Sequence, residues 1–349
     1  MPTGTAGRLV SSGGVRGATA CLPRVNVDAS RVIRTVAGLR PYRPSGFVVR
    51  ADKLGDSLLV HNYGHGGGGI SLSWGSSRLA TALGLPGHSG AVAVIGSGIM
   101  GLTTARLVQE AGYPVTIYTQ TLPPGTTSNI AGGQIYPASH YDDDMVTPQW
   151  LEQAAAAADY SRRRFQIMVG DDYGVRWLPT YDQTRRTGPV PPDLRFPGRS
   201  RLAATGHPFP LDNVVRYDTM YVETGRFLER LLRDIRAAGG SVQIRRFDTP
   251  AQIAALSEKL VFNCTGLGAA ALFGDTELVP VRGQLAVLIP QPEIQYAYSL
   301  SAGYMFPRAD GILLGGTYER GEYVAEPQPQ DIADIVESHR RLMAGWRCA

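Results

Sequence analysis

The sequence predicts an α/β protein of two domains, and three observations lead to this fold class. The chain has 349 residues, of which 43% are hydrophobic and 18% charged, enough to bury the cores of two ordinary domains. Residues 91–119 show a buried strand, a glycine turn, a helix and a second strand, the pattern of a β-α-β unit. Glycine supplies 42 residues, many of them in clusters at 64–69 and 96–101, which indicates backbone close to a ligand.

The elements ahead of this unit follow from the patterning of the chain. Alternating apolar and polar residues predict short strands at 31–36, 46–50 and 57–61. A glycine loop at 64–69 precedes a helix that we expect from Leu72 to Leu83. Within the β-α-β unit, the strands are expected at 91–95 and 114–119 and the helix at 98–111.

The elements that follow the unit are mostly helices in their first half. An alanine run predicts a helix over 148–169, and an amphipathic pattern that ends at Gly239–Gly240 predicts another over 223–240. Residues 179–212 are dense in Pro, Gly and Arg, which predicts a long loop or lid. Strands follow, and a last helix is expected over 330–343.

The charge of the chain raises the possibility of nucleic-acid binding, and the distribution of the charge argues against it. The net charge is +4, and Lys53 and Lys259 are the only lysines. The arginines are dispersed and are not interleaved with aromatic residues on which bases could stack. This distribution is typical of a solvated protein surface. We therefore expect no nucleic-acid partner, and the near absence of lysine disfavours a phosphate loop or a Schiff base.

The cysteines and the termini exclude further classes. Cys21, Cys264 and Cys348 form no Cys-x-x-Cys pair, which argues against a zinc ribbon, an iron–sulfur cluster or a dense disulfide framework. His61 and His65 are four residues apart, but the glycines around them oppose a metal-binding helix, so no metal is expected. Residues 1–21 are expected to be a disordered leader without a signal peptide, no segment is apolar enough to span a membrane, and a cytoplasmic location is expected.

The most informative motif is the Gly-x-Gly-x-x-Gly of Gly96, Gly98 and Gly101, between a strand and a helix. The first glycine permits a tight turn, the second admits a pyrophosphate to the backbone, and the third lets the helix pack against the strand. The motif therefore predicts dinucleotide binding, and the alternative is a glycine turn that serves packing alone. The second strand ends in Gln120 where a carboxylate for the ribose is usual, and no arginine stands there to favour a 2′-phosphate.

Five sequence blocks resemble the D-amino-acid oxidase family, whose members are flavoenzymes that carry FAD. The blocks are GLRPYRPSG at 38–46, HNYGHGGGG at 61–69, TTSNIAGG at 126–133, VFNCTGLGAAAL at 261–272 and VRGQ at 281–284. The resemblance extends over residues 22–348. It implies a Rossmann-type FAD-binding domain together with a mixed-sheet α+β substrate domain.

The order of these blocks differs from the family's. There the Gly-x-Gly-x-x-Gly segment opens the chain and the GLRP and HNYGHGG blocks close it, whereas here the closing blocks come first and PGHSG at 86–90 joins them to the rest. This order resembles a circular permutation, which is physically reasonable because chain ends often lie close together. A misassembled gene is the alternative.

The resemblance also implies a division of the chain into domains. Residues 22–75, 91–150 and 240–275 would form the FAD-binding domain. Residues 151–239 and 276–349 would form the substrate domain with its lid, and the last helix would pack back toward the FAD-binding domain.

The same resemblance places a set of residues at the cofactor. The glycine run 66–69 would lie against the flavin, with the following helix aiming its positive end at the ring's pyrimidine edge. The hydroxyls of residues 126–128 would reach the phosphates or the ribityl chain. The complete expected set is Gly66, Gly67, Gly68, Gly69, Ile70, Gly96, Gly98, Ile99, Met100, Gly101, Gln120, Thr126, Thr127, Ser128, Gly133, Gln134, Thr265 and Gly266.

The substrate site is expected to contain an arginine that binds a carboxylate. Arg40, in the GLRP block, falls where the family keeps such an arginine, and the planar guanidinium suits it to this task. Tyr304 resembles a family tyrosine that contacts the same carboxylate, and Arg308 resembles the corresponding arginine of glycine oxidase and competes with Arg40. A second family tyrosine aligns with Leu300, for which Tyr298 or Tyr296 is a candidate substitute.

The function implied is the oxidation of a D-amino acid with FAD. Hydride would pass from Cα to flavin N5 without a side chain as general base, the imino acid would hydrolyse to a keto acid and ammonia, and oxygen would give hydrogen peroxide. The alternatives are an oxidase of glycine, sarcosine or another amine on the same scaffold, and a flavin-binding protein without oxidase activity. The partners expected are a small amino acid and oxygen, and a homodimer stays open.

Overall fold

The computed structural model describes residues 21–183 and 196–348. The expected leader, apart from Cys21, and residues 184–195 of the expected lid lie outside the described residues. The helices are α1 Gly69–Gly84, α2 Ile99–Glu110, α3 Thr127–Ile130, α4 Pro148–Gln166, α5 Thr224–Ala237, α6 Pro250–Ala254, α7 Gly268–Phe273 and α8 Pro329–Ala344. The strands are β1 Val32–Tyr42, β2 Val48–Leu54, β3 Ser57–Tyr63, β4 Val92–Ile95, β5 Val115–Thr119, β6 Val175–Gln183, β7 Ser200–Arg201, β8 Val214–Val222, β9 Ser241–Ile244, β10 Leu260–Asn263, β11 Val279–Leu288, β12 Ala297–Leu300, β13 Gly303–Arg308, β14 Gly311–Gly315 and β15 Glu319–Arg320.

The first of two sheets has six strands in the order β2-β3-β10-β4-β5-β9. All neighbours are parallel except β2, which forms an antiparallel hairpin with β3. The central strands are buried on both faces and are therefore apolar throughout. Val94 and Phe262 face α1, α2 and α5, while Ala93 and Val261 face α6 and α7.

The second sheet has nine strands, eight of them in the order β1-β11-β14-β13-β12-β6-β8-β7, with β15 paired to β11. One face packs on α8, where Leu288, Ile312 and Leu314 meet Ile335 and Val336. The alternate residues of the same strands point to the other face, toward the first sheet. This second face forms one wall of the site described below.

The predicted fold class is confirmed, and the β-α-β unit lies within a residue or two of its predicted bounds as β4, α2 and β5. The predicted helix at Leu72 begins earlier, at Gly69, inside the glycine run. Gly69 has helical torsion angles, and Ile70 and Leu72 are buried, so packing outweighs the entropic cost of helical glycine.

Three groups of elements lie elsewhere than the predicted division into domains places them. Strand β1, assigned to the FAD-binding domain, pairs with β11 in the nine-stranded sheet. Helix α8 packs on β11, β13 and β14 of that sheet and not toward the other one, because its apolar face fits the sheet's outer face. Helices α4 and α5, assigned to the substrate domain, pack on α1 and α2 and bury Phe165 and Phe227 in the core of the six-stranded sheet.

The first and last described residues are neighbours in space. Cys21 and Cys348 form a disulfide with 5.7 Å between their Cα atoms, and Cys264 is free and buried. The backbone N–H of Arg347 donates to the carbonyl of Pro208, and the Tyr296 hydroxyl donates to the carbonyl of Pro23. Both ends are therefore held on the nine-stranded sheet. Across the described ranges, no helix is long and apolar enough to cross a bilayer.

The contact between α1 and α4 depends on Gly75, and an alanine there tests it. A Cβ at Gly75 would lie 1.9 Å from the carbonyl oxygen of Ala157, so we expect Gly75→Ala to lower the free energy of unfolding by about 1–3 kcal/mol. Gly225→Ala is the matched control, because a Cβ on this helical glycine meets no atom within 4 Å. This substitution should raise the free energy of unfolding by about 0.5 kcal/mol. Denaturant unfolding measures both, and equal stabilities would contradict the close packing.

Candidate active site

A large cavity lies between the two sheets. Its volume is about 1010 Å³. One side consists of the loops after β4, β5 and β10, at the carboxyl ends of parallel strands, where open α/β sheets bind their ligands. The other side is the inner face of the nine-stranded sheet, from β1 and β11 to β6 and β8.

The Gly-x-Gly-x-x-Gly turn lines the first side of the cavity. Gly96 has φ +110°, and a Cβ there would lie 2.5 Å from the carbonyl oxygen of Cys264. A Cβ at Gly101 would lie 1.9 Å from the carbonyl oxygen of Gly96, so this glycine lies behind the cavity lining and joins helix to strand. Gly98 is the N-cap of α2 and lines the cavity with Ile99 and Met100, which leaves the helix N-terminus available to an anion.

Three hydroxyl residues lie beside this helix start. Thr126, Thr127 and Ser128 all line the cavity. The Ser128 hydroxyl accepts a hydrogen bond from the backbone N–H of Ile99 at 3.0 Å, and the Thr126 hydroxyl donates to the amide oxygen of Asn129 at 2.7 Å. Ser128 therefore caps α2 directly and shapes the place where a phosphate would lie.

The end of β5 carries the polar group expected for a ribose, and two arginines that were not predicted lie beside it. Gln120 is exposed and lines the cavity. Arg245 and Arg246 follow β9, which runs parallel to β5, and the backbone N–H of Arg245 donates to the carbonyl of Thr119. No arginine stands at the end of β5 itself, as the sequence shows, but the pairing of β5 with β9 brings these two arginines beside it from another segment. Thr265 and Gly266, after β10, line the cavity nearby.

The glycine run forms a tight loop that leads into α1. Gly66 has φ +50°, and the N–H of Gly67 donates to the carbonyl of Ser139 at 2.9 Å. Gly66, Gly67, Gly69 and Ile70 line the cavity, whereas Gly68 is buried behind it. The first turn of α1 therefore presents its N–H groups at the cavity, where they favour negative charge.

A buried polar network fixes this loop from behind. The Nε2 atom of His65 lies 2.6 Å from the Ser76 hydroxyl, which donates to the amide oxygen of Asn62, and the Asn62 amide donates to Thr104 on α2. Burial lowers the pKa of His65 to about 3, so its ring is neutral. His61 lies elsewhere, with Nε2 3.1 Å from Asp52 and Nδ1 2.9 Å from the Asn263 amide. Both histidines are thus bound within the protein, and no cluster of metal ligands occurs among the described residues.

Gly133 and Gln134 lie between the two walls of the cavity. Gly133 has φ +87°, and a Cβ there would lie 2.1 Å from the carbonyl oxygen of Val222, so only glycine fits. The side-chain amide of Gln134 donates to the Tyr217 hydroxyl at 3.5 Å. The backbone carbonyl of Gln134 accepts a hydrogen bond from the hydroxyl of Ser71 on α1. The loop therefore connects α1 to the nine-stranded sheet at the edge of the cavity.

Arg40 and Tyr304 lie together on the sheet wall. The guanidinium of Arg40 lies beside the Tyr304 hydroxyl and donates to the carbonyl of Thr317 at 3.3 Å. A Cβ at Gly283 would lie 2.1 Å from Nη2 of Arg40, so this glycine of the VRGQ block makes room for the guanidinium. Arg40 forms no ion pair with any carboxylate of residues 21–183 and 196–348.

The chemistry of Tyr304 follows from its burial. Desolvation raises the pKa of its hydroxyl, and the neighbouring Arg40 opposes that rise. The hydroxyl therefore keeps its proton at neutral pH and can donate a hydrogen bond. Its ring stacks on that of Phe306 with 4.6 Å between the centroids. The ring also lies against the backbone at Gly315, where a Cβ would lie 2.2 Å from a ring atom.

Four other candidates lie outside the cavity. Arg308 donates to both carboxylate oxygens of Asp310 at 2.8 Å and to the Thr224 hydroxyl at 3.0 Å, so its guanidinium is occupied. Tyr296, Tyr298 and Leu300 point to the opposite face of the sheet and pack in the core beneath α8. Tyr298 lies 2.7 Å from Nδ1 of His339 there, so neither tyrosine replaces the second family tyrosine in the cavity.

Several lining residues were not predicted. They are Tyr136, Asp182, Tyr217, Ser299 and Tyr318, from five different parts of the chain. Alternation along β12 could have indicated Ser299, because it has opposite parity to its buried neighbours Tyr298 and Leu300. Asp182 and Tyr217 reach the cavity through the pairing of β6 with β12 and of β6 with β8, which join distant segments.

The model of the family described as DAO, FAD dependent oxidoreductase, matches residues 91–347. The chain belongs to this family. Among curated relatives, the D-amino-acid oxidase of Streptomyces coelicolor is 31% identical over 265 residues, which cover 71% of this chain and 76% of the relative. The D-aspartate oxidase of Homo sapiens is 28% identical over 258 residues, which cover 70% of this chain and 73% of the relative.

Solved structures of two glycine oxidases share the fold of this DAO family chain. Glycine oxidase from Geobacillus kaustophilus has a TM-score of 0.53 at 16% identity and covers 75% of this chain and 81% of its own. Glycine oxidase from Bacillus cereus has a TM-score of 0.50 at 15% identity and covers 71% of this chain and 77% of its own.

The cavity of this DAO family member fits FAD, the family's cofactor. The glycine turn at the start of α2 leaves space for a pyrophosphate, and the start of α1 leaves space for the flavin ring. At Gly69 a Cβ would find no protein atom closer than 3.9 Å and would enter the cavity. The residues present therefore suit a long ligand with an anionic centre.

We expect Gly69→Ala to weaken FAD binding without harming the protein. Its torsion angles are helical, so the apoprotein should keep its stability or gain up to about 1 kcal/mol, while the new methyl group occupies cofactor space. The dissociation constant for FAD should rise about tenfold or more, with a smaller FAD-induced rise in melting temperature. Gly225→Ala, whose Cβ meets nothing within 4 Å, is the control; unchanged FAD affinity of Gly69→Ala would place the cofactor elsewhere.

Proposed function

We propose that this flavoprotein oxidises D-amino acids. The observation that carries the proposal is the unpaired guanidinium of Arg40 beside the Tyr304 hydroxyl, inside the cavity that contains the glycine-rich start of α1. A guanidinium that has no carboxylate of its own in the described residues is suited to bind the carboxylate of a substrate. The names of the curated relatives support an amino acid of D configuration.

The residues of this chain contribute mainly position and electrostatics. Arg40 would hold the α-carboxylate through two parallel hydrogen bonds, and Tyr304 would donate a third, which together orient the α-carbon. Bound FAD would supply the acceptor for the two electrons that leave the α-carbon–hydrogen bond. The start of α1 favours negative charge at the cavity edge that it lines.

The overall reaction would consume one amino acid, one oxygen and one water. It would yield a 2-oxo acid, ammonia and hydrogen peroxide, through an imino acid that water hydrolyses. The amine reacts in its neutral form, so the proposal assigns no side chain as general base. Its requirement is a substrate with a free carboxylate next to the carbon that is oxidised.

The test compares Arg40→Lys with Arg308→Lys in purified holoprotein. We expect D-alanine, and not L-alanine, to bleach the flavin absorbance of wild type without oxygen and to release peroxide with oxygen. Arg40→Lys keeps the charge but loses the paired donors, so kcat/KM should fall about 30-fold or more. Arg308→Lys keeps a cation for Asp310 outside the cavity and should change kcat/KM by less than about threefold.

The controls separate the alternatives. Flavin content must be equal in all three proteins, and glycine and sarcosine are titrated alongside. Bleaching by glycine or sarcosine alone would replace the proposal by a glycine-type oxidase, and bleaching by no amine would leave a flavin-binding protein without oxidase activity. Loss of activity in Arg308→Lys with activity retained in Arg40→Lys would move the carboxylate site to Arg308.

We also propose that the block order reflects circular permutation. The family match begins at residue 91, yet the segment 32–84 supplies β1 to one sheet and β3 to the other. The Cα atoms of Cys21 and Cys348 are 5.7 Å apart, as a chain opened at this point requires. The linker 86–90 joins α1 to β4 without entering either sheet.

The natural protein carries a diagnostic peptide if this order is real. Trypsin cuts after Arg78 and Arg106 and nowhere between them, so peptide 79–106 spans the linker. We expect mass spectrometry of the protein purified from its source to contain this peptide. Peptides that end before residue 86 and begin anew at residue 91 would show a misassembled gene.

A further inference from the structure

The carboxylate of Asp182 lines the cavity at a fixed position relative to the Arg40–Tyr304 pair, and it forms no ion pair with a described residue. Tyr304 on β13 pairs with Ser299 on β12, and Ser299 pairs with Asp182 on β6. All three residues line the cavity, so they form a row across three adjacent strands on one face. Two strand spacings place Asp182 about 10 Å from Tyr304.

The Asp182 carboxylate has no ion pair or side-chain hydrogen bond within residues 21–183 and 196–348. Two neighbouring groups favour its charged form: the guanidinium of Arg199, which is not within ion-pair distance, and the backbone N–H of Gln183. Arg199 also lies 5.8 Å from the Tyr217 ring centroid. Burial raises the pKa of Asp182, and an arriving cation would lower it again. Leaving such a group unpaired costs free energy that a cationic ligand can recover.

Aromatic rings surround the same position. Tyr136, Phe196 and Tyr217 stack in a cluster with centroid distances of 5.0–6.3 Å, and both tyrosines line the cavity. Tyr217 is on β8, the strand that pairs with β6 beside Asp182. Aromatic faces attract ammonium and guanidinium groups, so the cluster and the carboxylate favour the same kind of ligand.

We propose that Asp182, together with the rings of Tyr136 and Tyr217, binds the positively charged side chain of a basic amino-acid substrate. The proposal rests on the proposed function, since Arg40 and Tyr304 must hold the α-carboxylate at the other end of the row. Substrates with long side chains ending in an amine or guanidinium would span the distance. Alanine would leave this subsite empty.

The position of Asp182 argues against a role at the α-amine. The α-amine is attached to the carbon next to the carboxylate, whereas Asp182 lies two strands away from Tyr304. A side-chain role and an α-amine role also predict different kinetics. Loss of a side-chain contact affects basic substrates alone, and loss of an α-amine contact affects all substrates equally.

The experiment uses Asp182→Asn and two matched pairs of ligands in the purified holoprotein. D-Norleucine is D-lysine without the terminal amine, so the pair isolates that charge. We expect wild type to prefer D-lysine about tenfold or more in kcat/KM, and Asp182→Asn to lower kcat/KM for D-lysine about 30-fold while changing that for D-norleucine less than threefold. Asp218→Asn is the control, because this carboxylate pairs with Arg216 and does not line the cavity.

A binding measurement keeps the inference testable apart from turnover. 6-Aminohexanoate and hexanoate repeat the pair without an α-amine, and their binding is followed through the flavin absorbance. Tighter binding of 6-aminohexanoate to wild type, lost in Asp182→Asn, supports the subsite even if no D-amino acid is oxidised, which would be a failure of the proposed function alone. Equal losses for both members of either pair, or no loss for the charged member, would overturn the subsite.

Discussion

The site depends on one continuous segment, residues 32–84, that belongs to both walls of the cavity. Strand β1 pairs with β11 in the nine-stranded sheet and carries Arg40, and β3 pairs with β10 in the six-stranded sheet and leads into the glycine run. The distance from Arg40 to the start of α1 is therefore fixed by two sheets at once. Because a substrate must meet a cofactor at a set distance, this double anchoring is the constraint on which the proposed chemistry depends.

The buried polar groups around the glycine run serve the same constraint. A loop of consecutive glycines has little conformational preference of its own, so its shape must come from its neighbours. His65, Ser76 and Asn62 form hydrogen bonds beneath it, and the carbonyl of Ser139 binds it from the side. Since His65 is neutral, the network adds no charge, and the helix start and Arg40 determine the electrostatics of that region.

The sequence predicted those parts of the site that depend on local backbone geometry. The glycine turn at Gly96, the helix after it and the amphipathic α5 follow from period and turn chemistry. It did not predict which side chains meet across strands. Tyr298 and Ser299 are adjacent in sequence, and their opposite faces put one under α8 and the other in the cavity. Arg245 reaches the cavity because β9 pairs with β5, and Arg308 leaves it because Asp310 and Thr224 bind its guanidinium.

The arrangement of strands is also compatible with the proposed circular permutation. The pairs that form the cavity, β1 with β11 and β3 with β10, join segments more than 200 residues apart, so neither pair depends on a short connection. The entropic cost of closing such long loops changes little from one length to another, because it grows only with the logarithm of the loop length. A chain opened between the positions of Cys348 and Cys21 and closed through residues 86–90 can thus form the same pairs. What the order cannot change is the geometry of the walls, and it is there that Arg40, Tyr304 and Asp182 acquire their relation to one another.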